Sequence, residues 1–376
     1  MTTTTDELIE GCGVLWSEVE KDLCAALKTS ASFGAAKSAR RIGEGTGFIS
    51  TIAVVTPDWK GAIDDEKLPK DLVLKITHRS GMGGRIAPMH NVEVAFYEMF
   101  SLHVDSLKEL PIPRMYYGTR FEEGKEIAVL ALEHVEGAPY RDAEDVSVDF
   151  LKQVARSLGR VHGLMFVHGV KDLPELQGLD LYGQFYGRIT PELYADRLKT
   201  NTLLIDDSEE MKELLERVLA LVPEYFGSNL EATVHEQLRL PSVLAHGDVW
   251  CGNLLAQDGV LKGIIDWQCA HLGSCAGDLL RLLLSWVPPT QRRQHLESLL
   301  DEQFTGLFES MKDYGDKELP YTREQLGHIV AVLFPHAALH FLPFTQFAWV
   351  VKGILEDTLK YHAENQTSKD GLVWKL

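Results

Sequence analysis

The chain has 376 residues, more than one hydrophobic core usually serves, so two domains are expected. Its formal net charge of −18 argues against nucleic acid as a partner, because such a surface must neutralise phosphates. The acidity could favour a cationic substrate, but it is more typical of a protein kept soluble in the cytoplasm.

The first third of the chain is predicted to be mostly sheet with one main helix. Residues 7–28 have helical periodicity, and residues 40–55 predict a strand, a glycine-rich turn and a second strand. Apolar runs at 71–77 and 127–134 predict two further strands, and residues 91–102 predict a helix between them.

The rest of the chain is predicted to be mostly helical, with helices at 150–165, 208–225, 290–312 and 323–360. Residues 243–266 break this trend with two short apolar runs. We therefore predict an α+β fold with an N-terminal lobe of residues 1–136 and a larger, mostly helical C-terminal lobe of residues 137–376.

Cysteine usage and the N-terminus both indicate a cytoplasmic protein. The five cysteines are odd in number and irregularly spaced, which argues against a disulfide framework. The N-terminal sequence MTTTTDELIE has neither the basic nor the apolar region of a signal peptide. The apolar stretch 329–351 is interrupted by prolines and histidines, so it predicts a buried helical segment and no membrane association.

The residues with the clearest chemistry lie in the segment LAHGDVWCGNLLAQDGVLKGIIDWQ, residues 244–268. Two carboxylates, Asp248 and Asp266, and the amide of Asn253 offer the hard oxygen ligands that Mg²⁺ prefers. The spacing Asp-x-x-x-x-Asn matches the catalytic loop of kinases, where the aspartate accepts the proton of the acceptor hydroxyl. His246 precedes this aspartate by two residues.

Each of these residues has a plainer interpretation when it is taken alone. An Asn between apolar residues is often a turn residue, and an Asp that ends a strand is often a helix cap. Asp278 opens a very apolar helix, so it is interpreted first as a cap, with bracing of the catalytic loop as the alternative. The order and spacing of the set favour function.

The N-terminal part supplies the groups that a kinase uses to hold nucleotide phosphates. Gly43, Gly45 and Gly47 lie between two predicted strands, and Lys75 lies in the centre of the strand DLVLKIT. The glycine run fails the dinucleotide fingerprint, because a strand follows where a helix should begin.

A helix-borne glutamate is expected to pair with Lys75, and two glutamates are available. Glu93 and Glu98 are five residues apart, about 140° round a helix, so both cannot face the lysine. We favour Glu93, which borders the apolar side of its helix. Backbone groups at the end of the strand 127–134, at Glu133 and Val135, could bind adenine.

The motifs HGDVWCGN, IIDWQ and GDLLRLL resemble those of the choline kinase–aminoglycoside phosphotransferase superfamily. The Trp two residues after Asp248 resembles its CHK kinase-like, or ecdysteroid-kinase-like, group. The resemblance covers residues 40–350 and implies a two-lobed protein-kinase-like fold, with a small antiparallel sheet and one main helix in the N-terminal lobe.

The resemblance also implies an activity, which is ATP- and Mg²⁺-dependent phosphorylation of a small-molecule hydroxyl, such as that of a steroid, sugar, amino alcohol or xenobiotic metabolite. It implies Asp248 as base, His246 as a brace, Asn253 and Asp266 as magnesium ligands, and Lys75 with a helix Glu at the phosphates. His-Gly-Asp replaces His-Arg-Asp and no A-P-E segment follows, which argues against a protein substrate.

Two alternatives stay open at this point. One is a catalytically inactive kinase-like protein that binds a ligand, although such a protein has no need for all four of Lys75, Asp248, Asn253 and Asp266. The other is a metal-dependent hydrolase using His246, Asp248 and Asp266, with His271 as a further ligand. The sequence does not indicate the acceptor or the oligomeric state.

Overall fold

A computed structural model describes residues 7–43, 50–63, 67–102, 110–140, 146–168, 176, 189–200, 208–226, 230–312, 318–345 and 347–367. The chain forms two compact units, one of residues 1–136 and 265–268, the other of residues 137–264 and 269–376. The division into domains 1–136 and 137–376 stays a prediction, and the short return of the chain at 265–268 was not part of it.

The first unit is built on one five-stranded antiparallel sheet of strand order β1-β2-β3-β5-β4. Its elements are α1 (Trp16–Leu27), β1 (Ser38–Ile42), β2 (Ser50–Thr56), β3 (Leu72–His78), α2 (Ile86–Leu102), β4 (Met115–Gly118) and β5 (Ile127–Glu133). The central strands are rich in β-branched and aliphatic residues, which pack well on a pleated surface.

The core of the first unit forms where the N-terminal segment and α1 pack with the sheet. Val19 and Leu23 of α1 are buried with Leu74 and Ile76 of β3 and with Val55 of β2. Burial of such side chains stabilises a fold by about 1.5–3 kcal/mol each. Strand β3 lies in the middle of the sheet and is therefore held firmly on both edges.

Two predicted helices of this unit have different starts in the structure. The helix predicted at 7–28 begins only at Trp16, because Gly11 and Gly13 take positive φ angles of 69° and 73°, which a helix does not contain. Helix α2 begins at Ile86, five residues before the predicted start, and accommodates Pro88 in its first turn.

The second unit is mostly helical, with two small antiparallel sheets of order β6-β8-β9 and β7-β10. Its elements are β6 (Ala138–Pro139), α3 (Val148–Val167), α4 (Pro191–Thr200), α5 (Glu209–Leu219), α6 (Val222–Tyr225), α7 (Leu230–Leu238), β7 (Val243–Ala245), β8 (Leu254–Gln257), β9 (Val260–Ile264), β10 (His271–Gly273), α8 (Gly277–Ser285), α9 (Pro289–Lys312), α10 (Arg323–Phe341) and α11 (Ala348–Thr367).

Helices α3 and α9 form the tightest packing of the second unit. Gly159 of α3 lies against the backbone of Gln303, and Gly306 of α9 lies against the backbone of Arg156. A Cβ at either glycine would overlap a carbonyl oxygen of the other helix. The two helices therefore depend on glycine at these positions for their close approach.

Two of the predicted helices of this unit are divided in the structure. The helix predicted at 323–360 is two helices, α10 and α11, separated by a 3₁₀ turn at 342–344 that contains Pro343. The helix predicted at 208–225 is divided into α5 and α6 at residues 220–221. None of the described helices is long and apolar enough to cross a membrane.

Gly306→Ala is expected to destabilise the protein by about 3 kcal/mol, because the added methyl group forces α3 and α9 apart. Gly277→Ala is the matched control, since no atom lies within 4 Å of the position that its Cβ would take. Thermal unfolding of the two variants should give a lowered midpoint for Gly306→Ala alone. Equal midpoints would contradict the packing described for α3 and α9.

Candidate functional site

The first unit contains a group of four polar side chains, the buried Lys75, Glu93 and Gln268 and the partly exposed Asp266, which we call the Lys75 cluster. Lys75 comes from the central strand β3 and Glu93 from α2. Asp266 and Gln268 come from the short segment 265–268, almost two hundred residues later in the chain. Three separate parts of the sequence thus meet at one ammonium group.

The lysine ammonium donates to three side chains of the cluster. Its Nζ lies 2.6 Å from Glu93 Oε2 and 3.4 Å from Gln268 Oε1, and it forms a short ion pair with a carboxylate oxygen of Asp266. Gln268 Nε2 donates to the other oxygen of Asp266 at 3.4 Å. These contacts hold the Asp266 carboxylate between a charge and an amide.

The charges of the Lys75 cluster do not balance. Burial by itself lowers the pKa of Lys75, but Asp266 and Glu93 outweigh burial and raise it above 10.5, so the ammonium is charged. Burial raises the pKa of Glu93 against the attraction of Lys75, and the nearby Asp266 carboxylate raises it further. Two acids facing one ammonium are a costly arrangement for stability alone, which is typical of a functional site.

Segment 265–268 is positioned by an aromatic stack. The ring of Trp267 lies 4.0 Å from that of Phe96 on α2 at an interplanar angle of 7°, and Trp267 is fully buried. Asp266 has a φ of 69°, a left-handed conformation that aspartate tolerates better than most residues. Packing at Trp267 thus offsets a strained backbone at Asp266 and fixes the direction of its carboxylate.

The structure separates the two candidate glutamates on α2. Glu93 is fully buried at Lys75, whereas Glu98 is partly exposed and pairs with Arg120 at 2.6 Å. Glu133 ends β5 with an exposed side chain that accepts from the backbone N–H of Arg114 at 3.1 Å. The structure therefore places at Lys75 the glutamate that borders the apolar side of the helix, which is the one we favoured.

Two of the remaining predicted nucleotide-binding residues, Gly43 and Val135, follow strands of the first unit. Gly43 follows β1 with a φ of 70°, and Val135 is half-buried two residues beyond the end of β5. Gly45 and Gly47 lie outside the described residues. The predicted role of these four residues in nucleotide binding stays a prediction.

In the second unit, residues 246–253 form a loop that is fastened by one carboxylate. Asp278 Oδ2 accepts from the backbone N–H of His246 at 2.7 Å, and its Oδ1 accepts from that of Gly247 at 2.9 Å. His246 is fully buried, and its Nδ1 accepts from the backbone N–H of Asp248 at 3.1 Å. His246 and Asp278 together hold the backbone that carries Asp248.

The Asp248 carboxylate has a partner on each oxygen. Asn253 Nδ2 donates to the backbone oxygen of Asp248 at 2.9 Å and to its Oδ2 at 3.2 Å. Arg281 Nη2 donates to its Oδ1 at 2.7 Å. Asp248 is nevertheless about a quarter exposed, so a small molecule can reach it.

Three of the residues that make these contacts were given no definite role from the sequence. Asp278 was interpreted first as a helix cap, but Ala276 takes the N-cap position of α8 and Asp278 braces the loop. Arg281 is one turn further along α8, and Gln268 closes the quoted run IIDWQ. A charged residue in the otherwise apolar run LLRLLL was the available signal for Arg281.

Histidine, cysteine, aspartate and glutamate do not form a cluster of three or more suited to a metal ion anywhere in the described part of the chain. His271, the further ligand considered for a hydrolase, instead directs its Nδ1 at the backbone oxygen of Cys269, 2.9 Å away.

Sequence comparison identifies a family and one curated relative. The model of the DUF1679 family, described as "Uncharacterized oxidoreductase dhs-27", matches residues 2–82 and 78–370. The Caenorhabditis elegans protein of that name is 23% identical over an alignment of 315 residues, and the match covers 77% of this chain. The match spans 35% of that protein, so the chain corresponds to about a third of its length.

Comparison with solved structures identifies the fold. The choline kinase of Cryptosporidium parvum Iowa II has a TM-score of 0.52 at 13% identity, over 93% of this chain and 96% of that one. A GDP complex of aminoglycoside 2′-phosphotransferase-IIIa scores 0.46 at 16% identity, over 93% and 99%. The predicted α+β, protein-kinase-like fold is confirmed.

Gly247→Ala is expected to destabilise the protein by more than the cost of placing alanine at a positive φ. Gly247 has a φ of 83°, and a Cβ there would overlap the carbonyl oxygen of Cys269. Gly259→Ala is the matched control, because Gly259 has a similar φ of 74° with nothing within 4 Å of a Cβ. Left-handed strain costs each variant about 1 kcal/mol.

Thermal unfolding should show a midpoint for Gly247→Ala well below that of Gly259→Ala. Equal loss in the two variants would mean that the loop has room for a side chain at residue 247 and is not held against Cys269.

Proposed function

The chain belongs to the DUF1679 family and has the fold of a choline kinase, and from this premise we propose that it is an ATP-dependent phosphotransferase for a small-molecule hydroxyl group. The observation that carries the proposal is the Lys75 cluster. There, the ammonium of a central strand contacts a glutamate on a helix and an aspartate that lies far away in the sequence. A kinase needs these three groups for nucleotide phosphates and for the metal that accompanies them.

In this proposal Lys75 binds the phosphate oxygens of ATP. Glu93 keeps the ammonium in place, because its carboxylate is fully buried and 2.6 Å away. The glycines after β1 and the backbone at Glu133 and Val135 are proposed to hold the rest of the nucleotide. Binding of the phosphates would weaken the ion pair between the Lys75 ammonium and Asp266.

Asp248 is proposed as the base. The acceptor oxygen attacks the γ-phosphorus, its proton passes to the Asp248 carboxylate, and the bond from the γ-phosphorus to the bridging oxygen breaks as ADP leaves. General base catalysis of this kind contributes about 10²–10⁴-fold to a rate. His246 is proposed to position the loop, since it is buried and contacts the backbone of Asp248.

Asn253 and Asp266 have the donor atoms that Mg²⁺ requires. The amide nitrogen of Asn253 donates to Asp248, so the amide oxygen is the atom that can coordinate a cation. The Lys75 cluster contributes the carboxylate oxygens of Asp266. Hard oxygen donors of this kind suit Mg²⁺, which would neutralise charge on the phosphate oxygens.

The word oxidoreductase in the name of the family and of the C. elegans relative belongs to a protein almost three times as long as the matched region. All strand pairings among the described residues are antiparallel. A dinucleotide-binding fold instead has a parallel sheet with a glycine-rich strand-to-helix turn. These observations favour phosphoryl transfer over hydride transfer for this chain.

Asp266→Asn is expected to abolish stabilisation by Mg²⁺-ATP, because one charged ligand is lost while the side-chain size is kept. Glu98→Gln is the matched control, since Glu98 lies on α2 but pairs with Arg120 away from Lys75. Thermal shift measurements with ATP at several Mg²⁺ concentrations should separate the two variants. An undiminished shift in Asp266→Asn would contradict its role as a ligand.

Asp248→Asn is expected to bind Mg²⁺-ATP normally but to lower phosphoryl transfer by about 10²–10⁴-fold, because the acceptor proton loses its base. Asp258→Asn, which changes an exposed acid in the turn between β8 and β9, is the control. Transfer is measured by mass spectrometry, as the gain of one phosphate in a library of hydroxyl-bearing metabolites.

Undiminished transfer in Asp248→Asn would exclude this residue as the base. A wild-type protein that is stabilised by ATP but transfers no phosphate would instead identify a catalytically inactive ligand-binding protein. Absence of both stabilisation and transfer would refute the proposed function.

A further inference from the structure

Arg281 is the charged side chain closest to the proposed base among the described residues. It extends from α8 and donates from Nη2 to Asp248 Oδ1 at 2.7 Å. The ion pair is largely withdrawn from solvent, with 15% of the arginine side chain and 25% of the aspartate side chain exposed. Any molecule that brings a hydroxyl to Asp248 therefore also meets a guanidinium.

The guanidinium is held in place by an aromatic ring. Its central carbon lies 4.6 Å from the centroid of the Phe341 ring at the end of α10, a favourable cation–π distance. Within the described part of the chain, its buried Nε has no hydrogen-bond partner. An arginine kept only for stability would be expected to use its donors fully, because each unmet buried donor costs about 1–3 kcal/mol.

The charge of Arg281 decides the electrostatics at Asp248. A carboxylate alone would attract an ammonium-bearing acceptor, but here the guanidinium balances that carboxylate at hydrogen-bond distance. Helix α10 adds no positive or negative charge beside Phe341. Burial lowers the pKa of His340 to about 3 and also lowers that of His336, so both imidazoles are neutral at pH 7.

We propose that Arg281 selects the acceptor by charge, so that the substrate is an uncharged or anionic hydroxyl compound and not an ammonium-bearing alcohol. This inference rests on the proposed function, and it excludes the amino-alcohol class that the fold by itself leaves open. Arg281 also fixes the rotamer of Asp248, which leaves Oδ2, the oxygen near Asn253, to receive the acceptor proton.

The experiment compares acceptors that differ only in charge. Glycerol, glyceric acid and 3-amino-1,2-propanediol form one set, and 3,3-dimethyl-1-butanol with choline forms a second, added to a library of hydroxyl-bearing metabolites sorted by charge. Phosphate gain by mass spectrometry and thermal shift in the presence of Mg²⁺-ADP are measured for the wild-type protein, Arg281→Gln and Arg281→Lys.

The control for net charge is Arg217→Gln, which removes an exposed arginine of α5 in the same unit. We expect acceptors of the wild-type protein to be uncharged or anionic. Removal of the charge in Arg281→Gln should raise kcat/KM for cationic relative to uncharged acceptors at least tenfold, whereas Arg281→Lys and Arg217→Gln should keep the wild-type ratio.

Three results would overturn the inference: cationic acceptors preferred by the wild-type protein, a ratio in Arg281→Gln within threefold of the wild-type ratio, or a library with no uncharged or anionic acceptor. Failure of the proposed function is recognised separately, as a lack of stabilisation by Mg²⁺-ATP together with a lack of phosphate gain. In that case the thermal shifts with acceptors alone decide whether residue 281 discriminates by charge.

Discussion

The ion pairs of Lys75 are the interaction on which the first unit depends. One ammonium on the central strand joins α2 through Glu93 and the segment 265–268 through Asp266. Loss of this charge would leave the buried Glu93 carboxylate and the partly exposed Asp266 carboxylate without their counter-ion, which destabilises the unit.

In the second unit, hydrogen bonds to the loop backbone hold the Asp248 carboxylate in a fixed position. Asp278 accepts two backbone N–H groups of the loop, and His246 accepts a third, so the backbone around Asp248 has few alternative conformations. Gly247 permits the turn because glycine tolerates a φ of 83° and has no Cβ to overlap the carbonyl oxygen of Cys269. The proposed role of Asp248 as a base would benefit from such preorganisation, because a base must meet its acceptor at a fixed distance.

Much of this could be predicted from local sequence patterns. The spacing within 246–266 identified the loop. The roughly 140° between Glu93 and Glu98 showed that only one of them could face Lys75, and the apolar side of the helix favoured Glu93, which the structure pairs with Lys75. The patterns could not show that 265–268 joins the first unit, because that contact spans 191 positions. No role was predicted for Arg281, because the apolar residues around it predict the helix and carry no information on what the arginine contacts. The early start predicted for α1 ignored the cost of glycines with positive φ.

The return of residues 265–268 to the first unit also constrains how the chain is made. During synthesis from the N-terminus, the ribosome completes the strands of the five-stranded sheet well before it reaches Asp266. Until then, Glu93 is the acidic partner available to Lys75. A nascent chain stalled before that aspartate should therefore yield a sheet that resists protease less than the finished one does. Completion of the first unit during synthesis is thereby coupled to translation of residues 265–268.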